Sequence, residues 1–350
     1  MDLVVAGAGM GGLAAAARAT ELGASVVVHE RAPEAGGSML LSSGVIWRYR
    51  DWERFRQECP GGDPALQRLV WERLDDALAW LERLGSPVVA RDTGNPHTVG
   101  AHFEPRRLTE ALARRAGDIR LREPLLELPH AAPVVLATGG FQGDRALVRR
   151  FITPEADSLL LRANPGSAGD GLRLALGRGA APSDGLDEFY GRAMPAPPAR
   201  VTSETFASLA QVYARHATVR NERGEIYEAR TWSEVDVVQW TARQPGARAW
   251  YLVRHEALGE RVRDRTVAEM VEAARAAGAP VAERDGGVEV EVVAGITQTL
   301  GGIRIDERAR AAKGVLACGA DAGGISTGGW SSGLAAALVL GLIAAEEALR

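Results

Sequence analysis

Residues 1–30 read MDLVVAGAGMGGLAAAARATELGASVVVHE, and the fold turns on them. Leu3-Val4-Val5-Ala6 is a strand-like apolar run. Gly7, Gly9 and Gly12 follow at once as G-x-G-x-x-G, and an alanine-rich stretch leads into a second apolar run, Ser25-Val26-Val27-Val28-His29. Glu30 closes that run about 20 residues on, where a βαβ dinucleotide site places an acceptor for a ribose hydroxyl. Gly7 permits a tight turn, Gly9 lets the backbone approach a pyrophosphate, and Gly12 lets helix and strand pack closely. The helix start then offers N–H groups and the positive end of its dipole to the phosphates. Strand, helix, second strand and terminal acid in this order predict an α/β fold that opens on a dinucleotide-binding unit.

The composition bounds what such a unit can serve. The chain has 350 residues, 46% apolar and 25% charged, enough for one large or two medium domains with real cores. Its net charge is −4, from 41 basic against 45 acidic side chains, which gives no electrostatic case for nucleic acid or an anionic membrane. Cys59 and Cys318 lie far apart and form no metal or redox spacing, so no metal site is expected and a reducing cytoplasm fits. The apolar N-terminus lacks a basic region and a cleavage site and reads as the first strand of the fold. The longest apolar stretch, Gly333 to Ala345, is too short to span a bilayer and reads as a buried helix.

Further along, Gly36-Gly37-Ser38 and Ser42-Ser43-Gly44 make a loop of small residues suited to close contact with a ligand. Helical spacing marks residues 63–84, with Gly85 as the stop, and Glu104-Pro105 opens another helix. Val134 to Thr138 reads as a buried strand ending in Gly139-Gly140. Asn164 to Gly171 is a polar glycine loop that opens a helix. Prolines at 182, 195, 197 and 198 then mark a crossing into a different unit of short strands and helices, and the glycine-rich style returns at Gly301-Gly302. The nucleotide domain is therefore expected to be split: residues 1–188, an inserted unit at 189–295, and residues 296–350.

Two strands end in small residues, Leu136-Ala-Thr-Gly-Gly140 and Leu316-Ala-Cys-Gly-Ala320, which lets a large flat ligand lie against the sheet edge. The last helix begins at Ser331-Ser332-Gly333-Leu334. Its first N–H groups suit the pyrimidine edge of a flavin, whose reduced form is anionic there.

With these stretches in order, the chain resembles the flavoprotein family of fumarate reductases and succinate dehydrogenases. Soluble relatives of that family are ketosteroid dehydrogenases and tricarballylate-type dehydrogenases. The resemblance rests on Gly7–Gly12, Glu30, Gly36-Gly37-Ser38, Ser43-Gly44, Ala137-Thr-Gly-Gly-Phe141 and Asn164 to Gly171. It continues through Asn221-Glu-Arg-Gly224, Thr299-Leu-Gly-Gly302, Ala317-Cys-Gly-Ala-Asp321 and Ser331-Ser-Gly-Leu334. It implies a Rossmann-like FAD-binding domain of the glutathione-reductase type with an inserted α+β capping domain. It also implies cofactor roles: Glu30 at the adenosine ribose, Gly37 and Ser38 along the pyrophosphate and flavin, and Arg31, Ser43, Gly44, Thr138, Gly139 and Asp170 as further cofactor-binding residues. Asp321 would meet the ribitol chain, and Ser332 and Leu334 the pyrimidine edge. The family's flavin-linking histidine has no counterpart, since Met39 to Leu41 stand in its place, so the FAD is expected to be non-covalent.

The substrate side departs from the family. Its proton-delivering arginine falls on Glu234, with Arg230 nearby; its substrate histidine falls on Gln298; and Gly328-Gly329-Trp330 replaces its substrate arginine. A dicarboxylate site needs several cations, and most of the family's are gone. Tyr190 and Arg192 remain where the family places substrate-facing groups. Tyr190 is the candidate acid or base and Arg192 the donor to a carbonyl or enolate, while Glu234 and Asp236 read as a solvated face. The expected reaction is dehydrogenation or reduction of a C–C bond beside a carbonyl, with hydride passing to or from flavin N5. A small carbonyl compound is the substrate and an external acceptor or donor handles the electrons. Two other readings stay open: a flavin oxidase of another small molecule, and an FAD-binding protein that has lost catalysis.

Overall fold

The computed structural model describes residues 1–284 and 286–350. The chain divides into two compact units. One comprises Met1–Asp144, Asn164–Glu188 and Gln298–Arg350; the other comprises Arg145–Ala163 and Phe189–Thr297. The sequence reading begins the insertion at 189; the second unit also takes in Arg145–Ala163.

The first unit is built on a six-stranded sheet. Its strands lie in the order Arg310–Ala312, Val315–Ala317, Val134–Leu136, Leu3–Ala6, Val26–Glu30, Asp118–Leu121. All neighbours are parallel except the antiparallel edge strand Arg310–Ala312. The central strands are apolar throughout because a parallel sheet is covered on both faces, and Leu3, Val5, Val135 and Leu136 are fully buried. Helix Met10–Glu21 returns the chain from the first strand to the second.

The last helix, Gly333–Ala348, packs against Met10–Glu21. Small residues set that approach: a Cβ on Gly341 would stand 2.5 Å from the Gly11 carbonyl oxygen. This explains why the last helix is apolar all round, with eleven consecutive buried residues from Ala335 to Ala345. A separate antiparallel sheet pairs Val45–Tyr49 with Thr98–Phe103 and the latter with Val88–Ala90. Tyr49 is buried there against Phe55 and Trp47, with its hydroxyl donating to the Trp330 carbonyl at 2.8 Å.

The second unit is α+β. Its sheet runs Ile226–Tyr227, Ala217–Arg220, Arg248–Arg254, Gly287–Thr299, Val281–Arg284, with Leu160–Leu161 and Phe189–Pro195 also paired to the long strand. Helix Val235–Ala242 packs on Phe189–Pro195, where Gln239 Nε2 donates to the Phe189 carbonyl at 2.9 Å. Helix Val267–Ala276 starts at a capping box: Thr266 Oγ1 accepts from the Glu269 N–H, and the Glu269 carboxylate accepts from the Thr266 N–H. Among the described residues no helix is long and apolar enough to cross a membrane.

Candidate active site

The glycine fingerprint sits at the carboxyl end of the first strand. Gly7 has φ +101°, in the left-handed half of the map, and a Cβ there would stand 2.2 Å from the Ala137 carbonyl oxygen. A Cβ on Gly12 would stand 1.9 Å from the Gly7 carbonyl oxygen, so helix and turn touch backbone to backbone. Gly9 differs. It has an ordinary extended conformation, φ −81°, and a Cβ on it would come no nearer than 4.0 Å to the rest of the chain. Packing within the protein therefore does not require glycine at position 9. The requirement fits a group brought close to the start of helix Met10–Glu21, whose N-cap, Gly9 itself, supplies no side-chain partner.

The other cofactor candidates gather around this point. The Glu30 carboxylate is buried and accepts from the Ala8 N–H at 2.7 Å and the Ala32 N–H at 2.8 Å. A carboxylate offers about four acceptor sites, so capacity for a ribose hydroxyl remains. The Gly36 N–H donates to the Ala8 carbonyl at 2.7 Å, which brings Gly37 up to Gly9. Exposed Ser38 follows on the short helix Gly37–Leu41, while exposed Ser43 and buried Gly44 lead into the strand Val45–Tyr49. Ser332 caps the last helix, its Oγ accepting from the Ala335 N–H at 3.3 Å, and Leu334 lies partly accessible in the first turn. These residues fit an adenine dinucleotide from ribose to pyrophosphate.

Four further cofactor candidates, Asp321, Thr138, Arg31 and Asp170, are engaged with the polypeptide. Asp321 is 1% exposed. Its carboxylate accepts from the Thr138 N–H and hydroxyl and from the Gly140 N–H, and Thr138 Oγ1 in turn accepts from the Gly171 N–H at 2.9 Å. This clasp ties the glycine-ended strand at Gly139 to the Asp170–Gly177 helix. The carboxylate expected beside a ribitol chain is thus held by donors of the protein itself. Burial outweighs these donors and lifts the Asp321 pKa to about 6. Arg31 and Asp170 form an ion pair with each other, and Asp170 also faces Arg173 at 3.5 Å.

The second unit holds the substrate candidates. Tyr190 and Arg192 lie on the strand Phe189–Pro195, Tyr190 half-buried and Arg192 buried. Arg192 does not form the surface ion pair its charge would suggest. Its Nη1 donates to the Ser233 carbonyl, and its guanidinium lies 4.9 Å from the Tyr190 ring centroid. Two arginines that sequence reasoning missed join them. Arg162 follows the strand Leu160–Leu161, which lies beside Gly295 of the long strand. A Cβ on Gly295 would stand 3.1 Å from the Arg192 carbonyl oxygen and 3.7 Å from the Arg162 Cβ. Arg162 donates to the Thr297 hydroxyl at 3.1 Å and the Phe206 carbonyl at 3.3 Å.

Arg263 sits at the tip of the hairpin Arg261–Val262/Arg265–Thr266 with φ +60°, and its guanidinium lies 5.4 Å from the Trp232 ring. A non-glycine residue in that region is uncommon and is held there by its surroundings. No spacing signal marks either arginine, because adjacency across strands and a hairpin brings them in.

Electrostatics bind the group. Burial resists ionisation of the Tyr190 phenol, but Arg192, Arg162 and Arg263 outweigh it and hold its pKa below the ordinary tyrosine value. Repulsion from Arg192, with desolvation adding, lowers Arg263 to about 10. Burial lowers Arg162 as well. Glu234, read from sequence as part of a solvated face, is buried instead, with φ +58° turning it inward. Burial raises its pKa against the N–H groups of Ala214 and Arg215. Arg230 lies outside the cluster, exposed over Tyr227 at 5.6 Å.

Residues 2–131 and 126–333 match the model of a family described as FAD binding domain. A fumarate reductase (cytochrome) of Shewanella frigidimarina is 26% identical over 235 residues, which are 53% of this chain and 41% of the relative. The match thus spans less than half of that relative's length. Two solved structures share the fold. A flavocytochrome c3 fumarate reductase has a TM-score of 0.70 and 21% identity, covering 99% of this chain and 78% of its own. A 3-ketosteroid delta1-dehydrogenase from Sterolibacterium denitrificans has a TM-score of 0.74 and 15% identity, covering 99% of each chain.

Proposed function

The chain belongs to the FAD binding domain family, and from that premise we propose that it is an FAD-dependent oxidoreductase acting on a C–C bond beside a carbonyl. In this reading the first unit is a glutathione-reductase-type FAD domain and the second its capping domain. Gly9, Gly37, Glu30 and the start of the last helix hold a non-covalent FAD. When bound, FAD supplies the two-electron acceptor or donor at its N5 position.

The observation that carries the reading is the Arg192 guanidinium 4.9 Å from the Tyr190 ring centroid, with Arg162 and Arg263 adding positive charge that acts on the phenol. A tyrosine becomes a useful base near neutral pH only when cations stabilise its phenolate. In dehydrogenation Tyr190 takes the proton from one carbon while the neighbouring carbon gives up a hydride, so the substrate loses two hydrogens and two electrons. In the reverse direction the phenol returns the proton. The sequence suggests Arg192 as a donor to the carbonyl. Its burial and its bond to Ser233 favour a different role, holding the phenolate. The electrons pass to or from a partner outside the chain.

The test is anaerobic mixing of the purified yellow protein with saturated ketones and keto acids. Bleaching of the flavin bands with formation of the enone or unsaturated acid is expected. A flavin that dithionite reduces but no carbonyl compound does would overturn the reading in favour of a non-catalytic FAD protein.

A further inference from the structure

We propose that this chain forms a twofold dimer in which the edge strand Asp118–Leu121 pairs antiparallel with the same strand of a second copy. The six-stranded sheets of the two copies then become one. This dimer goes beyond the function proposed above and does not depend on it.

The strand ends the sheet of the first unit, and among the described residues no strand pairs with its outer side. Its register with residues 27–30 is regular over all four positions, and it contains no proline. The opposite edge is better defended: the register of Arg310–Ala312 is irregular, and Arg310 is held by Asp306 at 2.8 Å. Backbone directions on the open edge follow from the neighbouring strands. The Ser25 and His29 carbonyls accept from the Leu3 and Gly7 N–H groups, on the side of the first strand. Alternation therefore turns Val28 and Glu30 toward Asp118–Leu121, where Asp118 and Arg120 face them with their own N–H and C=O groups. The N–H and C=O groups of Ile119 and Leu121 are left on the outer edge. Among the described residues, no hydrogen bond from elsewhere in the chain reaches them.

Charge selects a second copy as the occupant. An antiparallel pair related by a twofold axis sets one residue opposite itself. With Ile119 on the axis, the two Ile119 residues exchange both backbone bonds, and Leu121 pairs with the second copy's Gly117. Asp118 then lies directly across from the second copy's Arg120, on both sides of the axis. Other registers fail. An axis at 118 sets Asp118 on Asp118, one at 120 sets Arg120 on Arg120, and one at 121 sets Arg120 on Arg122. An axis at 117 leaves most of the strand unpaired, and an axis between residues sets outward groups against inward ones. Opposite charges directly across a ladder attract, and like charges repel.

The single chain is poised for this exchange. Arg120 holds Asp118 at 3.0 Å and Glu123 at 3.3 Å, and all three side chains are exposed. Pairing gives Asp118 and Arg120 new partners across the ladder and strands neither charge. Apolar surface lies at the same place, with Leu121 43% and Leu126 76% exposed. In this register Leu121 crosses Gly117, which has no side chain to obstruct it.

Sedimentation equilibrium of the FAD-loaded full chain over a concentration series tests the dimer. The parent is expected to reach the mass of two chains. Asp118→Arg and Arg120→Asp each set like charges across the ladder and should raise the dimer Kd at least about tenfold. The two single variants mixed in equal amounts should pair with each other, and the chain carrying both exchanges should pair with itself. Ile119→Cys should crosslink to itself on mild oxidation, because facing Cα atoms of a hydrogen-bonded pair stand about 5.5 Å apart. Leu121→Cys should not, and the native Cys59 and Cys318 are buried and do not compete. A parent that stays monomeric at every concentration would overturn the second copy as occupant and leave the edge to a strand of another protein. A dimer that both single variants leave intact would move the contact to another surface and overturn the proposal. Crosslinking at 121 without crosslinking at 119 would overturn the register.

Discussion

Arg192 holds its guanidinium 4.9 Å from the Tyr190 ring centroid and is itself anchored on the Ser233 carbonyl. The pair is therefore a fixed electrostatic unit, and its effect on the phenol can be measured. If Tyr190 is the base, the rate of flavin reduction rises with pH as the phenol ionises, with a midpoint below the ordinary tyrosine value. Arg192→Gln removes the positive charge that acts most strongly on the phenol and should move that midpoint upward, with Arg192→Lys moving it less. Tyr190→Phe should slow flavin reduction by roughly 10²–10⁴-fold, the usual worth of a positioned acid or base. A pH profile that is the same in parent and Arg192→Gln would show that Arg192 does not tune the base.

Gly9 and Gly12 separate binding from folding. Gly9→Val places its Cβ in open space on a permissive backbone, so the flavin-free protein should melt within a few degrees of the parent. FAD retention should nevertheless fall steeply, because the side chain occupies the path of the pyrophosphate. Gly12→Ala drives a Cβ to 1.9 Å from the Gly7 carbonyl oxygen. It should cost on the order of 1–3 kcal/mol of stability, as overpacking does, and lower the melting temperature even without cofactor. Unfolding of the two flavin-free variants, set beside their flavin content, decides the point. Normal FAD retention in Gly9→Val would remove the pyrophosphate assignment.

The contrast between the two ends of the protein shows what a sequence makes readable. Gly7, Gly12 and Glu30 are demanded by a strand, a turn and a helix that follow one another, so residue type and spacing carry the geometry directly. The last helix was readable for a similar reason, since an unbroken apolar run of that length has to be covered on all sides. Tyr190 stood out only by position, and its surroundings did not stand out at all. Arg162 acts on it from the end of a strand paired in space, and Arg263 from a hairpin tip in an unusual backbone conformation. Glu234 looked like one more surface acid until its left-handed backbone turned it inward. The contacts of Asp321 with Thr138 and Gly140 depend on a parallel pairing of Val315–Ala317 with Val134–Leu136 that no local signal reports.

Asp321 supplies the pH dependence. Its folded pKa, about 6, lies above the ordinary aspartate value of 3.8, because burial opposes the charge more than the Thr138 and Gly140 donors favour it. A group whose pKa is raised on folding contributes stability that is complete below the unfolded value and is lost as pH rises through the folded one. The carboxylate should therefore weaken the fold progressively between about pH 4 and pH 6–7, by something on the order of 2–3 kcal/mol in all. Asp321→Asn keeps an acceptor for the Thr138 N–H and can donate to the Thr138 hydroxyl, and it carries no charge to bury. Relative to the parent, the variant should gain stability as pH rises over that window and show no such trend above it. Denaturant unfolding of both proteins at pH 4, 5, 6, 7 and 8 measures the difference directly. A difference that stays constant across the series would mean that Asp321 is ionised at no cost, and that its clasp of backbone donors, not its burial, sets its pKa.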